Sequence, residues 1–396
     1  MHAVEEFLRH GEGMEQLRAA LQGPYDPVTL RCAKIKITAK CNLKCGFCDY
    51  WRMHEPDELS TAEWRTVLDS LKAEGCVKVH FSGGEATLRQ DLHELLAYTT
   101  QLGMKANFTT NGTTMTSDRA AAVVNTGAHG VSLSLDGPDD STHDRIRGVP
   151  GSFSRTVKGI RRLSRARDRA RGKLRIRINT VLTRHNYRRL PEVIDLASEL
   201  GATDVLPMPV DERGATPEHR LSKSDISYFN SFVLPLAEEA RRRAGFSVSE
   251  PLLAPFGRSE RDQEFSSHGR YARGHFREHV CYVPWMHAFI GWSGDVYLCC
   301  MARGKTEPLG NVRRSSIGEV FRGDAYRAIR AQFLTEMPKV CHRCDMFQAE
   351  NERVDTLLGA DAPRPERSGP GVELRSAETL ARKPNLRLLP LLPERR

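Results

Sequence analysis

From residue 33 to residue 208 the chain alternates β-rich and helix-periodic stretches, and this alternation constrains its fold more than any other feature. The strand-like stretches are 33–38 (AKIKIT), 76–82 (CVKVHFS), 105–110, 131–136 (VSLSLD), 175–183 (RIRINTVLT) and 204–208. Between them, 61–74 (with Ser60 placed to cap it), 91–102, 117–125, 153–167 and 191–200 have helical spacing. Parallel neighbours need a crossover, usually a helix. Six strands spaced in this way therefore predict a parallel sheet with helices outside it. In such folds chemistry gathers in the loops at the C-terminal ends of the strands.

After Pro209 the rhythm breaks. Residues 221–243 read as one more helix with a basic end, 258–279 as a polar loop, and 281–346 as a compact second unit. The Pro- and Arg-rich tail from about Gly359 reads as extended. The expected organisation is a helical extension over 1–30, the β/α unit over 31–215, a helix and linker over 216–280, a cysteine-bearing unit over 281–350 and a tail over 351–396. At ~150 residues per domain, 396 residues leave room for two or three such units.

No run approaches the ~18 apolar residues of a membrane span, and the first twenty residues lack a signal-peptide core. The expected setting is cytoplasmic, with no membrane partner. Ten cysteines in this length are too few for a disulfide scaffold, and those that cluster read first as metal ligands. The net charge of +9 is local, since fourteen Lys and Arg between residues 155 and 189 face one acid, Asp168. That placement argues against a uniformly basic nucleic-acid binder and reads as a solvated helix face in preference to an anion site.

Cys41, Cys45 and Cys48 follow the first strand directly, in CNLKCGFCDYW. Three thiolates spaced in this way can wrap one face of an iron–sulfur cluster and leave one iron open. A zinc site would want a fourth ligand close by. With these cysteines in the first βα loop, the sequence resembles the radical S-adenosylmethionine (radical SAM) superfamily, whose defining motif is CxxxCxxC after the first strand of a (β/α)6 partial TIM barrel. Phe47, ahead of the third cysteine, fits that pattern. Gly83, Gly84 and Glu85 after the second strand resemble the family's GGE segment. TTNG (109–112, including Asn111) ends the third strand and SLDGP (134–138) the fourth, HDRIRG (143–148) follows, and NTVLTRHN (179–186) marks the fifth. The resemblance covers roughly residues 31–210.

The resemblance implies a 4Fe–4S cluster on Cys41, Cys45 and Cys48 that binds SAM. It implies SAM contacts from Phe47, Gly83, Gly84, Glu85, Asn111, Ser134 and Arg147, with Glu85 toward the amino group and Ser134 and Arg147 toward the carboxylate. It further implies that an electron, delivered by a reductant such as flavodoxin or ferredoxin, cleaves SAM to a 5′-deoxyadenosyl radical. The residue chemistry agrees, because glycines let backbone approach closely and a carboxylate accepts from an ammonium. Glu55 and Asp57 read as loop charges.

The C-terminal unit carries Cys281, Cys299, Cys341 and Cys344, two from a hairpin turning at Gly294 and Asp295 and two from CHRC. By themselves, four such thiolates suit either a structural zinc or a 4Fe–4S cluster. The pattern C-x12-G-x4-C followed by CxxC resembles the twitch module, a shortened SPASM domain found after many radical SAM barrels. That resemblance implies one auxiliary 4Fe–4S cluster, hence two in all, because no cysteine follows Cys344. It weighs against the anaerobic sulfatase-maturase type, which needs a fuller set. Cys32 and Cys76 read as core thiols. Cys300 reads as packing or, as a spare thiol, as a catalytic hydrogen-atom donor. His268, His275 and His279 fall in the polar stretch, which reads as a linker or a loop over substrate. Asp211 and Glu212, after the sixth strand, could meet polar substrate groups.

Resemblance to twitch proteins leads to two expectations about the reaction. The main one is an oxidoreductase acting on a small-molecule, sugar- or aminocyclitol-like natural-product intermediate, with epimerisation or dehydrogenation at a carbinol carbon. The alternative is a maturase of a ribosomally made peptide. The main reading rests on the thirty residues ahead of the barrel, too few for a leader-binding winged helix, and on Cys300.

Overall fold

All six expected strands form: β1 (Cys32–Lys36), β2 (Lys78–Ser82), β3 (Lys105–Thr110), β4 (Gly130–Ser134), β5 (Arg175–Leu182) and β6 (Asp204–Pro209). The computed structural model describes residues 8, 11–23, 29–53, 57–211, 217–246, 254–345, 348–363, 365, 367 and 371–372. Glu55, Glu212 and the tail from 373 onward lie outside these residues. The chain divides into two units. One comprises Ile35–Arg65 and Val79–Arg273, the other Met1–Lys34, Thr66–Lys78 and Gly274–Arg396.

In the first unit the strands lie in chain order from β1 to β6. From β3 to β6 they pair in parallel, with Asn107 opposite Gly130, Ser134 opposite Asn179 and Leu182 opposite Pro209. Alternation sets the faces. In β5, Ile176, Ile178, Thr180 and Leu182 are buried, while Arg177 and Asn179 are half-buried on the other face. Each buried isoleucine contributes about 1.5–3 kcal/mol, so a one-residue slip that turned this face outward is strongly opposed.

Helix boundaries follow local chemistry. The helix Thr61–Ala73 starts at a capping box in which the Ser60 N–H donates to Glu63 Oε2 (2.7 Å) and the Glu63 N–H donates to Ser60 Oγ (3.2 Å). The helix Ser152–Arg169 buries Thr156, Gly159, Ile160 and Leu163, while Arg155, Arg161, Arg165 and Arg169 face solvent. The basic stretch there is a hydrated face, as expected. One helix was not legible. Asp140–Arg147 is short and polar, and its signals were the Asp139 cap, which accepts from the Thr142 N–H (2.9 Å), and Gly148 at φ +70°.

Two expectations need correcting. The stretch 221–243 is three pieces, Lys223–Tyr228, a π turn Phe229–Val233 and Leu234–Arg243. Pro235 supplies no N–H there, which favours a local change of ladder. The stretch 258–279 is not a plain loop. Ser259 and Asp262 form a capping box that starts the helix Glu260–Ser267, and His275–Glu278 forms a second turn.

In the second unit, β7 (His287–Ile290), β8 (Asp295–Tyr297) and β9 (Gly310–Asn311) pair antiparallel. The β7–β8 turn uses Gly294 at φ +91°. Asp295 instead opens β8, where its carboxylate accepts from the Ser293 hydroxyl and the Asn311 amide, each at 2.8 Å. Trp285, Trp292 and Phe289 fill the core with a buried Arg330, which donates to the Pro284 (2.9 Å) and Phe321 (2.7 Å) carbonyls. Among the described residues no helix is long and apolar enough to cross a membrane.

Each unit buries a neutral histidine. Burial, aided by the Arg147 charge for His143 and by Lys34 for His287, pulls both pKa values down to about 3. The unfolded chain binds these protons near pH 6.5 and the folded chain does not. This stability is therefore complete above that pH and is lost as pH falls from 6.5 toward 3. The slope is roughly 1.4 kcal/mol per pH unit per histidine. Between pH 6.5 and 5, His143→Gln should lose roughly 2 kcal/mol less stability in urea than the wild type. An identical slope in both proteins would show that His143 titrates freely.

Candidate active site

Cys41, Cys45 and Cys48 follow β1 as free thiols. Burial pushes the Cys41 thiol up to about 11, and it raises Cys45 and Cys48 as well. Ligation of a metal requires these thiols to give up their protons. Three thiols from one loop are a donor set for an iron–sulfur cluster that keeps one iron open.

The neighbouring strand ends hold this loop through backbone. The Gly84 N–H donates to the Thr38 carbonyl (2.8 Å) and the Glu85 N–H to the Lys40 carbonyl (2.7 Å). A Cβ on Gly84 would stand 2.3 Å from the Lys40 oxygen and 2.4 Å from that of Ala39, and one on Gly83 2.7 Å from the Thr38 oxygen. The two glycines are thus already required by the approach of β2's end to the cysteine loop. The same holds beyond the helix Asp140–Arg147, where a Cβ on Gly148 would lie 2.2 Å from the Lys44 oxygen. Asn42, which the sequence reading passed over, closes a ring with the third strand's end. The Asn111 amide donates to Asn42 Oδ1 (2.8 Å), the Asn42 amide to Thr113 Oγ1 (2.9 Å), and the Thr113 hydroxyl to Asn111 Oδ1 (2.7 Å).

Glu85 is 2% exposed and accepts four bonds. Its Oε1 takes the Thr87 N–H and the hydroxyls of Thr87 and Thr110, and its Oε2 takes the Asn111 N–H at 2.6 Å. The carboxylate thus ties β2's end to β3's end beside Cys41. Arg147 forms a buried ion pair with Asp136 (2.7 Å) and lies 3.8 Å from Cys45 Sγ. Burial opposes its charge, but Asp136 and Cys45 outweigh that and raise its pKa further. Asp136 was not singled out from sequence, although it stands within the SLDGP motif. Ser134 ends β4 opposite Asn179, whose buried Oδ1 has no protein partner among the described residues. An orphaned acceptor beside a serine hydroxyl fits a polar ligand such as SAM. Phe47 meets the His219 ring edge-on at 6.2 Å, and a Cβ on Gly46 would reach His219 Nε2 at 2.5 Å. His219 had no sequence signal at all.

In the second unit, Cys281, Cys299 and Cys341 are close enough to perturb one another. Burial comes first, pushing Cys281 to about 11, Cys299 to about 12 and Cys341 upward, and neighbouring thiols add to it for Cys299 and Cys341. Cys344, also buried, shares a tight turn in which its N–H donates to the Cys341 carbonyl (3.2 Å). Asn351 donates to Cys281 Sγ (3.7 Å). Arg367, from the stretch expected to be an extended tail, donates to the carbonyls of Phe276 (2.7 Å), His279 (3.3 Å) and Phe333. Burial lowers its pKa to about 10 against the pull of Cys341 and Cys281. Cys300 is half-buried beside Cys299. Cys32 and Cys76 are buried core thiols, Cys76 pushed to about 12.

A family model described as the radical SAM superfamily matches residues 35–197, and one described as an iron–sulfur cluster-binding domain (SPASM) matches residues 281–345. The chain is 30% identical over 322 residues to the PqqA peptide cyclase of Xanthomonas axonopodis pv. citri, covering 78% of each protein. It is 36% identical over 169 residues to the AdoMet-dependent heme synthase of Oleidesulfovibrio alaskensis, so it spans about two-fifths (42%) of that relative's length and 42% of its own. The fold is similar to that of Streptococcus suis SuiB bound to the precursor peptide SuiA, with a TM-score of 0.62 at 19% identity over 90% of this chain and 79% of that one.

These findings overturn the expected sugar or aminocyclitol substrate and the epimerase or dehydrogenase activity. A relative matched over 78% of both lengths is a PqqA peptide cyclase. The earlier expectation leaned on a short leading segment and one spare thiol, and neither reports on what a pocket binds. The hydrogen-donor role of Cys300 belonged to that reading. The two matched modules imply SAM and two 4Fe–4S clusters as cofactors. The chain belongs to the radical SAM superfamily and carries a C-terminal SPASM-type cluster domain.

Proposed function

We propose that the chain modifies a peptide, joining or oxidising its side chains by radical chemistry. The observation that carries this reading is the similarity to a PqqA peptide cyclase over 322 residues, a span longer than both matched modules together. When bound, the first cluster and SAM supply hydrogen-atom abstraction. The chain's own residues hold and shield them. Cys41, Cys45 and Cys48 are the ligands of the first cluster, and Cys281, Cys299, Cys341 and Cys344 those of the second. Arg147 keeps a buried positive charge beside Cys45, and Asp136 fixes its position. Ser134 and Asn179 offer polar groups to SAM, and the Glu85 and Asn111 networks hold the strand ends that frame it. The electron comes from a flavodoxin- or ferredoxin-like reductant.

The test is direct. Full-length protein, reconstituted without oxygen, is given SAM, reductant and a panel of candidate precursor peptides. One peptide should become about two hydrogens lighter, with fragments that show a bridge between side chains. If every peptide stays unchanged while a non-peptide compound triggers release of 5′-deoxyadenosine, the peptide reading fails.

A further inference from the structure

Among the described residues of the second unit, Arg367 is a half-buried cation with no carboxylate within ion-pair distance. Its terminal nitrogens go to backbone, Nη1 to the carbonyls of Phe276 and His279 and Nη2 to that of Phe333. Its Nε is buried and has no hydrogen-bond partner among the described residues. Carbonyl dipoles solvate a guanidinium but do not neutralise it. A buried charge left without a counter-charge is strongly destabilising, so this position calls for an anion. The anionic groups that support the Arg367 charge are the thiols of Cys341 and Cys281.

Arg367 and its near neighbours in the chain hold the approaches to both of these cysteines. The His279 carbonyl, which Arg367 binds at 3.3 Å, stands two residues ahead of Cys281. Five residues beyond Arg367, Val372 pairs with the segment that leads into Cys341. Its N–H donates to the Met337 carbonyl (2.9 Å), and its carbonyl accepts from the Lys339 N–H (2.7 Å). The Pro338 carbonyl between them accepts from the Cys341 N–H (2.9 Å). The approach is close, since a Cβ on Gly371 would stand 2.9 Å from the Met337 oxygen and 3.3 Å from Nε2 of His342, the residue after Cys341. Burial raises the pKa values of Cys281 and Cys341, and the Arg367 charge pulls against it at both thiols.

We propose that Arg367 is the counter-charge of the second cluster and raises its reduction potential. Four thiolates outweigh the charge of a 4Fe–4S core, so the ligated cluster is an anion, and reduction adds a further negative charge. A fixed cation beside it therefore favours the reduced state. Asn351 offers Cys281 Sγ a neutral N–H (3.7 Å), which works in the same direction without a net charge. Arg367 lies beyond every cysteine in the chain, so the potential of the second cluster depends on a residue outside the thiol pattern. This role concerns the second cluster alone and holds whatever substrate the chain takes.

The test reads the midpoint potential of each cluster in the full-length protein. The protein is reconstituted without oxygen and poised with redox mediators while its electron paramagnetic resonance signals are recorded. Added SAM perturbs the signal of the first cluster and so tells the two apart. Arg367→Gln should shift the second midpoint negative, with the ratio of reduced to oxidised cluster at fixed poise falling roughly tenfold, or about 59 mV for one electron. The first midpoint should stay in place. Arg367→Lys keeps the charge and should keep most of the potential, with iron intact in both variants. An unchanged second midpoint in Arg367→Gln would overturn the proposal. A Lys variant shifted as far as the Gln variant would overturn it too, because charge would then not be the cause. If Arg367→Gln loses the iron of the second cluster, iron kept in Arg367→Lys supports the counter-charge. Iron lost equally from both would leave only a brace on the carbonyls and overturn it.

Discussion

Replacing Cys41, Cys45 and Cys48 together with Ala should abolish reductive cleavage of SAM and leave about half the iron. The intact chain should hold roughly eight iron and eight sulfide in two 4Fe–4S clusters, and the two cysteine sets lie in separate units. Each set is built from its own loops, so loss of the first should leave the second intact. Iron and sulfide assays on protein reconstituted without oxygen, alongside 5′-deoxyadenosine release, measure both effects. A triple variant that kept all its iron would mean that the three thiols bind no cluster. The converse set, with Cys281 and Cys341 replaced, should also halve the iron. The two losses should add to the whole.

Asp136→Asn should destabilise the fold by about 3–5 kcal/mol, because it strips the partner from a buried guanidinium. Asp136 is fully buried and Arg147 nearly so, and Asp136 also accepts the Val181 N–H (2.9 Å), joining β4's end to β5. Urea unfolding of the variant measures the cost. Adding Arg147→Met to Asp136→Asn removes the stranded charge, so the double variant should recover part of the loss. A double variant no more stable than the single one would show that the stranded guanidinium is not the source of the cost.

Periodicity read the parallel sheet correctly because alternation survives in each strand. β3 and β5 begin where the pattern predicted, and Ile176 and Ile178 are buried as it requires. The helix Asp140–Arg147 escaped notice because it is almost entirely polar and its signals lie in caps at its ends. The cysteines were legible because the spacing of thiols along a loop is a chemical constraint written in the chain. What surrounds them was not. Asn42, Asp136 and His219 come from three different loops, and their meeting depends on the register of strands far apart in sequence. Glu85 was read as a group facing a ligand, and the structure gives it four protein donors at the strand ends. Substrate choice left no trace in composition or spacing, and the sugar reading failed there.

Arg367 changes where the second module ends. Its guanidinium reaches back from beyond every cysteine to carbonyls at Phe276, His279 and Phe333. An engineer who transplanted the module by its thiols, from Cys281 to Cys344, would carry every iron ligand and leave that brace behind. The portable part therefore begins before residue 276 and runs through residue 367. Modules of this kind, when exchanged between enzymes, should be cut by the reach of their supporting side chains and not by the span of their cysteines.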